Sequence, residues 1–131
     1  AHGPFDLLYS RHGVMFFGDP TEAFAALRAG ASDGARLVFS CFRKRGENGW
    51  ALAADPAGAL AGEDAIYTPG PFGFADAAFV HDMLVAAGWS EPLSRAIDCS
   101  YFAGEDVEDA LRFWSRIGPS ARVLAAASAE E

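Results

Sequence analysis

The sequence predicts a small α/β domain. Two short apolar runs, residues 5–10 and 37–42, have the length of buried strands, and a well-marked helix lies between them. Strand, helix and strand in this order form a βαβ unit, so we expect two parallel strands joined by a right-handed crossover. Helical segments and glycine- and proline-rich turns alternate farther along the chain, as in other α/β domains.

The first helix has both of its ends marked in the sequence. Asp19 is a favourable N-cap residue, Pro20 suits the first helical position, and Glu22 follows in the first turn. Gly30, or the turn residues 32–34, should end the helix. We therefore predict a short helix that begins directly after Asp19.

Three further helices and a third strand are predicted in the rest of the chain. Residues 50–60 are rich in alanine and predict a short helix, and residues 61–74 predict a connecting loop. Asp76 and Asp106 are N-cap candidates for two more helices. Between these helices, residues 93–101 alternate between apolar and polar side chains, and this period of two predicts a half-exposed strand.

Composition and charge limit the possible functions. The chain has 131 residues, 51% of them hydrophobic, and we interpret residues 1–131 as a single globular domain. Ten Lys and Arg against eighteen Asp and Glu give a formal net charge of -8, which disfavours a nucleic-acid partner. No apolar run has the length of a membrane span and no signal peptide opens the chain, so we expect no membrane partner and a cytoplasmic location.

Several common catalytic motifs are absent from the sequence. No two glycines are separated by a single residue, and no Gly-Lys pair or His-Glu-x-x-His segment occurs. His2, His12 and His81 lack the spacing of metal ligands, so we predict no metal site. Cys41 and Cys99 lie outside any Cys-x-x-Cys pair and are expected to pack as small apolar residues.

A group of polar residues at the end of the first predicted strand is the candidate ligand edge. Ser10, Arg11 and His12 stand where open α/β sheets bind ligands, just beyond the carboxyl end of a strand. The basic residues 43–45 follow the second predicted strand and would form a positive rim at the same edge. The alternative is that both segments are ordinary solvent-exposed loops.

Several segments resemble small-molecule class I S-adenosylmethionine-dependent methyltransferases. Residues 10–20, SRHGVMFFGDP, resemble the motif of that family's fourth strand, except that His12 stands where the family usually has Phe. Residues 36–43, RLVFSCFR, are similar to the fifth-strand region. Residues 70–76, GPFGFAD, and residues 86–89, AAGW, are similar to later family segments. Each piece is short, but their order and spacing make the combined match fairly specific.

The resemblance covers most of residues 5–125 and carries expectations about fold and activity. It implies a partial Rossmann-like methyltransferase sheet made of strands 4, 5 and 6 with flanking helices. It also implies that the cofactor-binding N-terminal half is missing, so that residues 1–131 are the C-terminal part of a methyltransferase. The implied activity of the full-length protein is S-adenosylmethionine-dependent methyl transfer to a small-molecule acceptor, and we expect this fragment to be inactive alone.

Site residues follow from the resemblance position by position. It places Ser10 and Arg11 beside the cofactor, at its methionine and sulfonium end. Methyl transfer depends on positioning and on a general base where the acceptor must lose a proton, and His12 is the candidate for this catalytic role. The candidate acceptor-binding residues are Phe16, Arg43 and Trp50. For Phe16, packing in the core is the alternative.

Two other hypotheses remain open. In the first, the chain is a non-enzymatic α/β module whose open sheet edges pair with another copy. This hypothesis predicts a homo-oligomer. In the second, a doubly wound domain binds some other ligand at the edge formed by Ser10 and Arg11. The fold class alone does not separate these hypotheses from a methyltransferase.

Overall fold

A computed structural model describes residues 3–54, 66–116 and 121 of the chain. These residues form a small mixed α/β domain with a two-stranded parallel sheet and helices. The chain divides into two compact units, one comprising Ala1–Arg45 with Glu63–Ala96 and the other Gly46–Gly62 with Ile97–Glu131. The sheet belongs to the first unit.

The first unit begins with the predicted βαβ segment. Strand β1 (Phe5–Arg11), helix α1 (Pro20–Ala29) and strand β2 (Ala31–Ser40) follow one another, and the two strands are parallel. Asp19 caps α1, because its side chain accepts a hydrogen bond of 2.9 Å from the backbone N–H of Glu22. The parallel pairing and the start of the helix are therefore confirmed.

Strand β2 begins earlier than the sequence predicts. Phe5 of β1 lies opposite Ala31. Only two residues farther along β1, Leu7 lies opposite Arg36, so β2 carries extra residues in a bulge. Residues 32–34, which have the composition of a turn, lie in this bulge. The turn signal therefore marks an irregularity inside the strand and not its boundary.

The core of the first unit lies on one face of the sheet. Helix α1 packs there beside a helix that spans Ala77–Ala86 and that we number α3 because a shorter helix precedes it. Phe24 of α1 is fully buried, with its ring centroid 5.4 Å from that of Phe39 and 6.0 Å from that of Phe74. The indole Nε1 of Trp89 donates a hydrogen bond of 3.0 Å to the carbonyl of Phe24. Phe24 therefore joins the helix, the sheet and the segment after α3.

Both later N-cap predictions are confirmed. The carboxylate of Asp76 accepts backbone N–H bonds from the first turn of α3. Asp106 does the same for helix α4 (Val107–Trp114). The predicted loop residues 61–65 lie outside the described residues.

The predicted third strand is wrong. Residues 93–101 have no regular secondary structure, and Leu93 is 95% exposed. In the part of the chain that the structure describes, β1 and β2 are the only strands. A sheet that includes strand 6 is therefore not formed, because the alternating residues have no neighbouring strand with which to pair.

The two cysteines have different surroundings. Both thiols are free. Cys41 is half-buried, with its Sγ 3.6 Å from the carbonyl oxygen of Phe74, and burial raises the pKa of its thiol. Cys99 is exposed, so the prediction that it packs as an apolar residue is wrong. Its segment, residues 93–101, lacks the strand on which that prediction depended.

The second unit contains an aromatic cluster. Its helices are the predicted short helix α2 (Gly49–Ala54) and α4, and residues 55–60 of the α2 prediction lie outside the described residues. Trp50 of α2 stacks on Trp114 of α4, with ring centroids 5.6 Å apart and planes 5° apart. The ring of Tyr101 stacks on Trp114 at 5.8 Å. We refer to Trp50, Tyr101 and Trp114 as the aromatic cluster.

We expect Phe24→Ala to lower the free energy of unfolding by about 3–5 kcal/mol, because it removes a fully buried ring from the centre of the core. Leu93→Ala trims an exposed side chain of the same unit and should change it by less than about 0.5 kcal/mol. Urea unfolding followed by circular dichroism measures both values. Similar losses for the two variants would contradict this description of the core.

Candidate functional site

The parallel pairing brings the carboxyl ends of β1 and β2 to one edge of the sheet. Ser10 lies opposite Phe39, and Arg11 lies opposite Ser40. Just beyond β1, the backbone N–H of His12 donates a hydrogen bond of 3.0 Å to the carbonyl of Ser40. The structure therefore places three of the candidate site residues, Ser10, Arg11 and His12, beside the end of the second strand.

His12 is held in an unusual backbone conformation. Its φ of 52° lies in the left-handed region, which costs a residue with a side chain roughly 1 kcal/mol and which glycine adopts freely. The imidazole stacks on the ring of Phe42, with centroids 4.2 Å apart and planes 12° apart. Hydrogen bonding of the backbone and stacking of the ring together fix the orientation of the imidazole at the edge.

The surroundings of His12 favour its neutral form. Burial lowers the pKa of His12 below its ordinary value of 6.5, and the positive charge of Arg11 lowers it further. Nδ1 is buried and has no hydrogen-bond partner in the part of the chain that the structure describes. A neutral imidazole carries one nitrogen that can accept a proton, so His12 has the protonation state that a general base requires.

Ser10 and Arg11 supply the donors for an anionic group. The hydroxyl of Ser10 reaches over Gly13, where an added Cβ would stand 3.1 Å from the Ser10 oxygen. Gly13 therefore leaves the space that this hydroxyl occupies. Arg11 is exposed at the same edge. Ser10 and Arg11 point to opposite faces of β1, so a carboxylate that accepts hydrogen bonds from both has to lie beyond the strand end, between the two faces.

The turn after His12 is anchored by a tyrosine from a distant loop. A single 3₁₀ turn spans Val14–Phe16, and the hydroxyl of Tyr67 lies within hydrogen-bond distance of the carbonyls of Met15 and Phe17, at 3.1 Å from that of Met15. Met15 is fully buried, whereas Phe16 is 51% exposed. Phe16 therefore does not pack in the core, and its ring borders solvent on the turn that follows the candidate edge.

The two remaining candidates, Arg43 and Trp50, lie in different units. Arg43 is half-buried in the first unit and directly follows Phe42, whose ring stacks on His12. Trp50 belongs to the second unit, where its ring takes part in the aromatic cluster. The contacts of Trp50 within that unit are those of a packing residue, whereas Arg43 follows the strand end that carries the candidate edge.

Two residues support the edge although the sequence analysis gave them no role. Phe42 stacks on His12, and its signal was an aromatic residue two positions after the end of β2, at the sheet edge where His12 also lies. Tyr67 anchors the Val14–Phe16 turn from a loop far along the chain. No local pattern links Tyr67 to this turn, so it had no signal in the sequence.

Comparison with known proteins gave no match: neither family models, nor curated proteins, nor solved structures resemble this chain significantly. Among the described residues, no three His, Cys, Asp or Glu side chains are grouped so that they could hold a metal ion. None of the described helices is long and apolar enough to cross a membrane. The candidate edge is therefore interpreted from its own geometry and chemistry.

We expect a proton NMR titration to give His12 a pKa below 6.5. Because the unfolded chain then binds this proton more readily than the folded chain, the contribution of His12 to stability is fully present above pH 6.5. It is lost as the pH falls from 6.5 to the lowered pKa. Phe42→Leu removes the stacked ring, exposes the imidazole to water and should raise the pKa of His12.

A matched control for Phe42→Leu is Phe5→Leu, which changes a partly exposed ring at the opposite end of β1 and should leave the titration of His12 unchanged. The spectrum of His12→Gln assigns the signal among the three histidines. A pKa at or above 6.5 for His12 in the unaltered chain would contradict the described environment.

Proposed function

We propose that this chain forms part of an S-adenosylmethionine-dependent methyltransferase that acts on a small molecule. The observation that carries the proposal is the imidazole of His12, which is fixed at the carboxyl end of a parallel strand beside Ser10 and Arg11, in surroundings that lower its pKa. The resemblance of residues 10–20 to a methyltransferase motif supports the same function. In this proposal, β1 and β2 are strands 4 and 5 of a Rossmann-like sheet.

The proposed chemistry uses His12 as the general base. S-adenosylmethionine supplies an electrophilic methyl group bonded to a sulfonium. The acceptor's oxygen or nitrogen forms a bond to the methyl carbon while the carbon–sulfur bond breaks and its electron pair stays on sulfur. His12 takes the proton that the acceptor loses, which its neutral state permits. Positioning of the acceptor accounts for most of the remaining rate enhancement.

The donors present at the edge fit one end of S-adenosylmethionine. Ser10 and Arg11 suit its carboxylate, which accepts charge-assisted hydrogen bonds from a guanidinium. The sequence has no Gly-x-Gly element with which to hold the rest of the molecule. We therefore expect the 131-residue chain alone to bind S-adenosylmethionine more weakly than micromolar.

Addition of S-adenosylmethionine at millimolar concentration should shift the backbone amide NMR signals of residues 10–13 and 40–43. 5′-Methylthioadenosine lacks the amino-acid end and should leave these signals unchanged. Arg11→Gln should weaken the response to S-adenosylmethionine by about tenfold, because a charge-assisted hydrogen bond contributes about 1.5–3 kcal/mol before solvent screening.

Arg95→Gln provides the matched control for this titration, because Arg95 is exposed and lies outside both strand ends. Equal shifts with S-adenosylmethionine and with 5′-methylthioadenosine would remove the role given to Ser10 and Arg11. A micromolar dissociation constant in a calorimetric titration would contradict the expected weakness of the isolated chain.

A second candidate function is that of a non-enzymatic module that associates through its sheet edges. It is supported by the pairing of the strands: among the described residues, β1 and β2 pair only with each other, so each strand has one open edge. This function predicts an oligomer in light scattering. A monomer that unfolds in one cooperative transition would exclude it.

A further inference from the structure

The described residues leave one face of the sheet uncovered. Leu8 and Leu37 point to the face that carries the core and pack against it. On the opposite face, Leu7, Tyr9 and Val38 are exposed, and Tyr9 is 82% exposed. Parallel sheets in globular proteins are normally covered on both faces. In the part of the chain that the structure describes, this apolar surface therefore has no second layer of the kind that usually covers a parallel sheet.

Two arginines border the apolar surface. Arg36 lies opposite Leu7, Arg11 lies two residues beyond Tyr9, and both arginines are exposed. We refer to Leu7, Tyr9, Val38, Arg11 and Arg36 as the sheet face. If two sheet faces stacked on each other, their positive charges would repel. The chain as a whole is acidic, with a net charge of -8, so an acidic surface is the better partner. The complementary surface is therefore apolar with an acidic border.

Helix α4 presents a surface of this kind. Val107 and Leu111 are one helical turn apart and are 77% and 65% exposed; Glu108 borders Val107, and Arg112 borders Leu111. Along the helix axis they are separated by about 6 Å. Leu7 and Tyr9 are separated by about 6.6 Å along their strand. A helix that lies along β1 can therefore place each of its two apolar side chains on one apolar side chain of the strand.

We propose that the sheet face binds helix α4 of a second copy of this chain. Val107 and Leu111 cover Leu7 and Tyr9, and Glu108 meets Arg36, which lies opposite Leu7 and has no part in the proposed cofactor site. When each copy gives its α4 to the other, two identical contacts form and the dimer is closed. This inference does not depend on the methyltransferase proposal, because neither surface requires a cofactor.

An ion pair already present on α4 does not prevent this contact. Glu108 lies 3.7 Å from Arg112 in an exposed pair one turn apart on the helix. Exposed pairs of this kind contribute little to stability, so Glu108 can turn to an arginine of the partner at small cost. A charge pair that a docked chain shields from water is stronger than one that remains in solvent.

Sedimentation velocity at about 0.1 mM protein tests the proposal. We expect the unaltered chain to be a dimer. Tyr9→Asp places a charge on the sheet face and Leu111→Asp places one on α4, and each should raise the dissociation constant at least about tenfold. Both residues are exposed, so both variants should keep the circular dichroism spectrum of the unaltered chain, while their melting temperatures should fall because the stabilising dimer contact is lost.

Mixing the two variants distinguishes this contact from other modes of association. The Tyr9→Asp chain keeps an intact α4, and the Leu111→Asp chain keeps an intact sheet face. An equimolar mixture therefore forms one of the two contacts and should associate more strongly than either variant alone. Leu93→Asp is the matched control, because Leu93 is exposed and lies on neither surface, and this variant should remain a dimer.

Three results would overturn the proposal. The first is a monomeric unaltered chain at about 0.1 mM. The second is a Leu111→Asp variant that remains a dimer, which would indicate pairing through the sheet edges or stacking of two sheet faces. The third is a mixture of the two variants that associates no better than either variant alone.

Discussion

The parallel register of β1 and β2 is the constraint on which the rest of the first unit depends. A parallel connection requires a crossover, so α1 must pass over one face of the sheet, and that face becomes the core. The same register brings both carboxyl ends to one edge, where the N–H of His12 meets the carbonyl of Ser40. Core and candidate site are therefore two consequences of one pairing.

His12 combines a left-handed backbone conformation with a half-buried, stacked ring, whereas Glu91, which has the same φ of 52°, is exposed. A left-handed φ of 52° costs a residue with a side chain roughly 1 kcal/mol, and glycine at this position would avoid the cost. Burial also lowers the pKa of the imidazole, so the fold penalises its charged form. Stacking on Phe42 offsets part of these costs. Strained residues of this kind are concentrated at functional sites, which agrees with the proposed catalytic role.

Local signals predicted most of the helices and the first strand, whereas features that depend on distant partners were missed. Asp19 and Asp76 cap their helices with side-chain bonds that span only three residues, so the sequence is sufficient to locate these starts. Residues 93–101 have the alternation of a strand, but a strand also needs a neighbour, and the pattern contains no information about one. Tyr67 reaches the turn after β1 from a distant loop, and the partner of His12, Phe42, is set by the register.

One-sided burial explains why the sheet face matters for the energetics of this fold. Two strands alone are marginally stable, so the first unit relies on the helices that cover a single face. Burial of an exposed side chain such as that of Leu7 contributes about 1.5–3 kcal/mol, while association costs several kcal/mol in lost translational and rotational freedom. One helix on one face offsets little more than this cost. When each copy places its α4 on the sheet face of the other, the entropy of association is lost once but two contacts are buried. A closed dimer therefore stabilises the sheet face more than a single docked helix does.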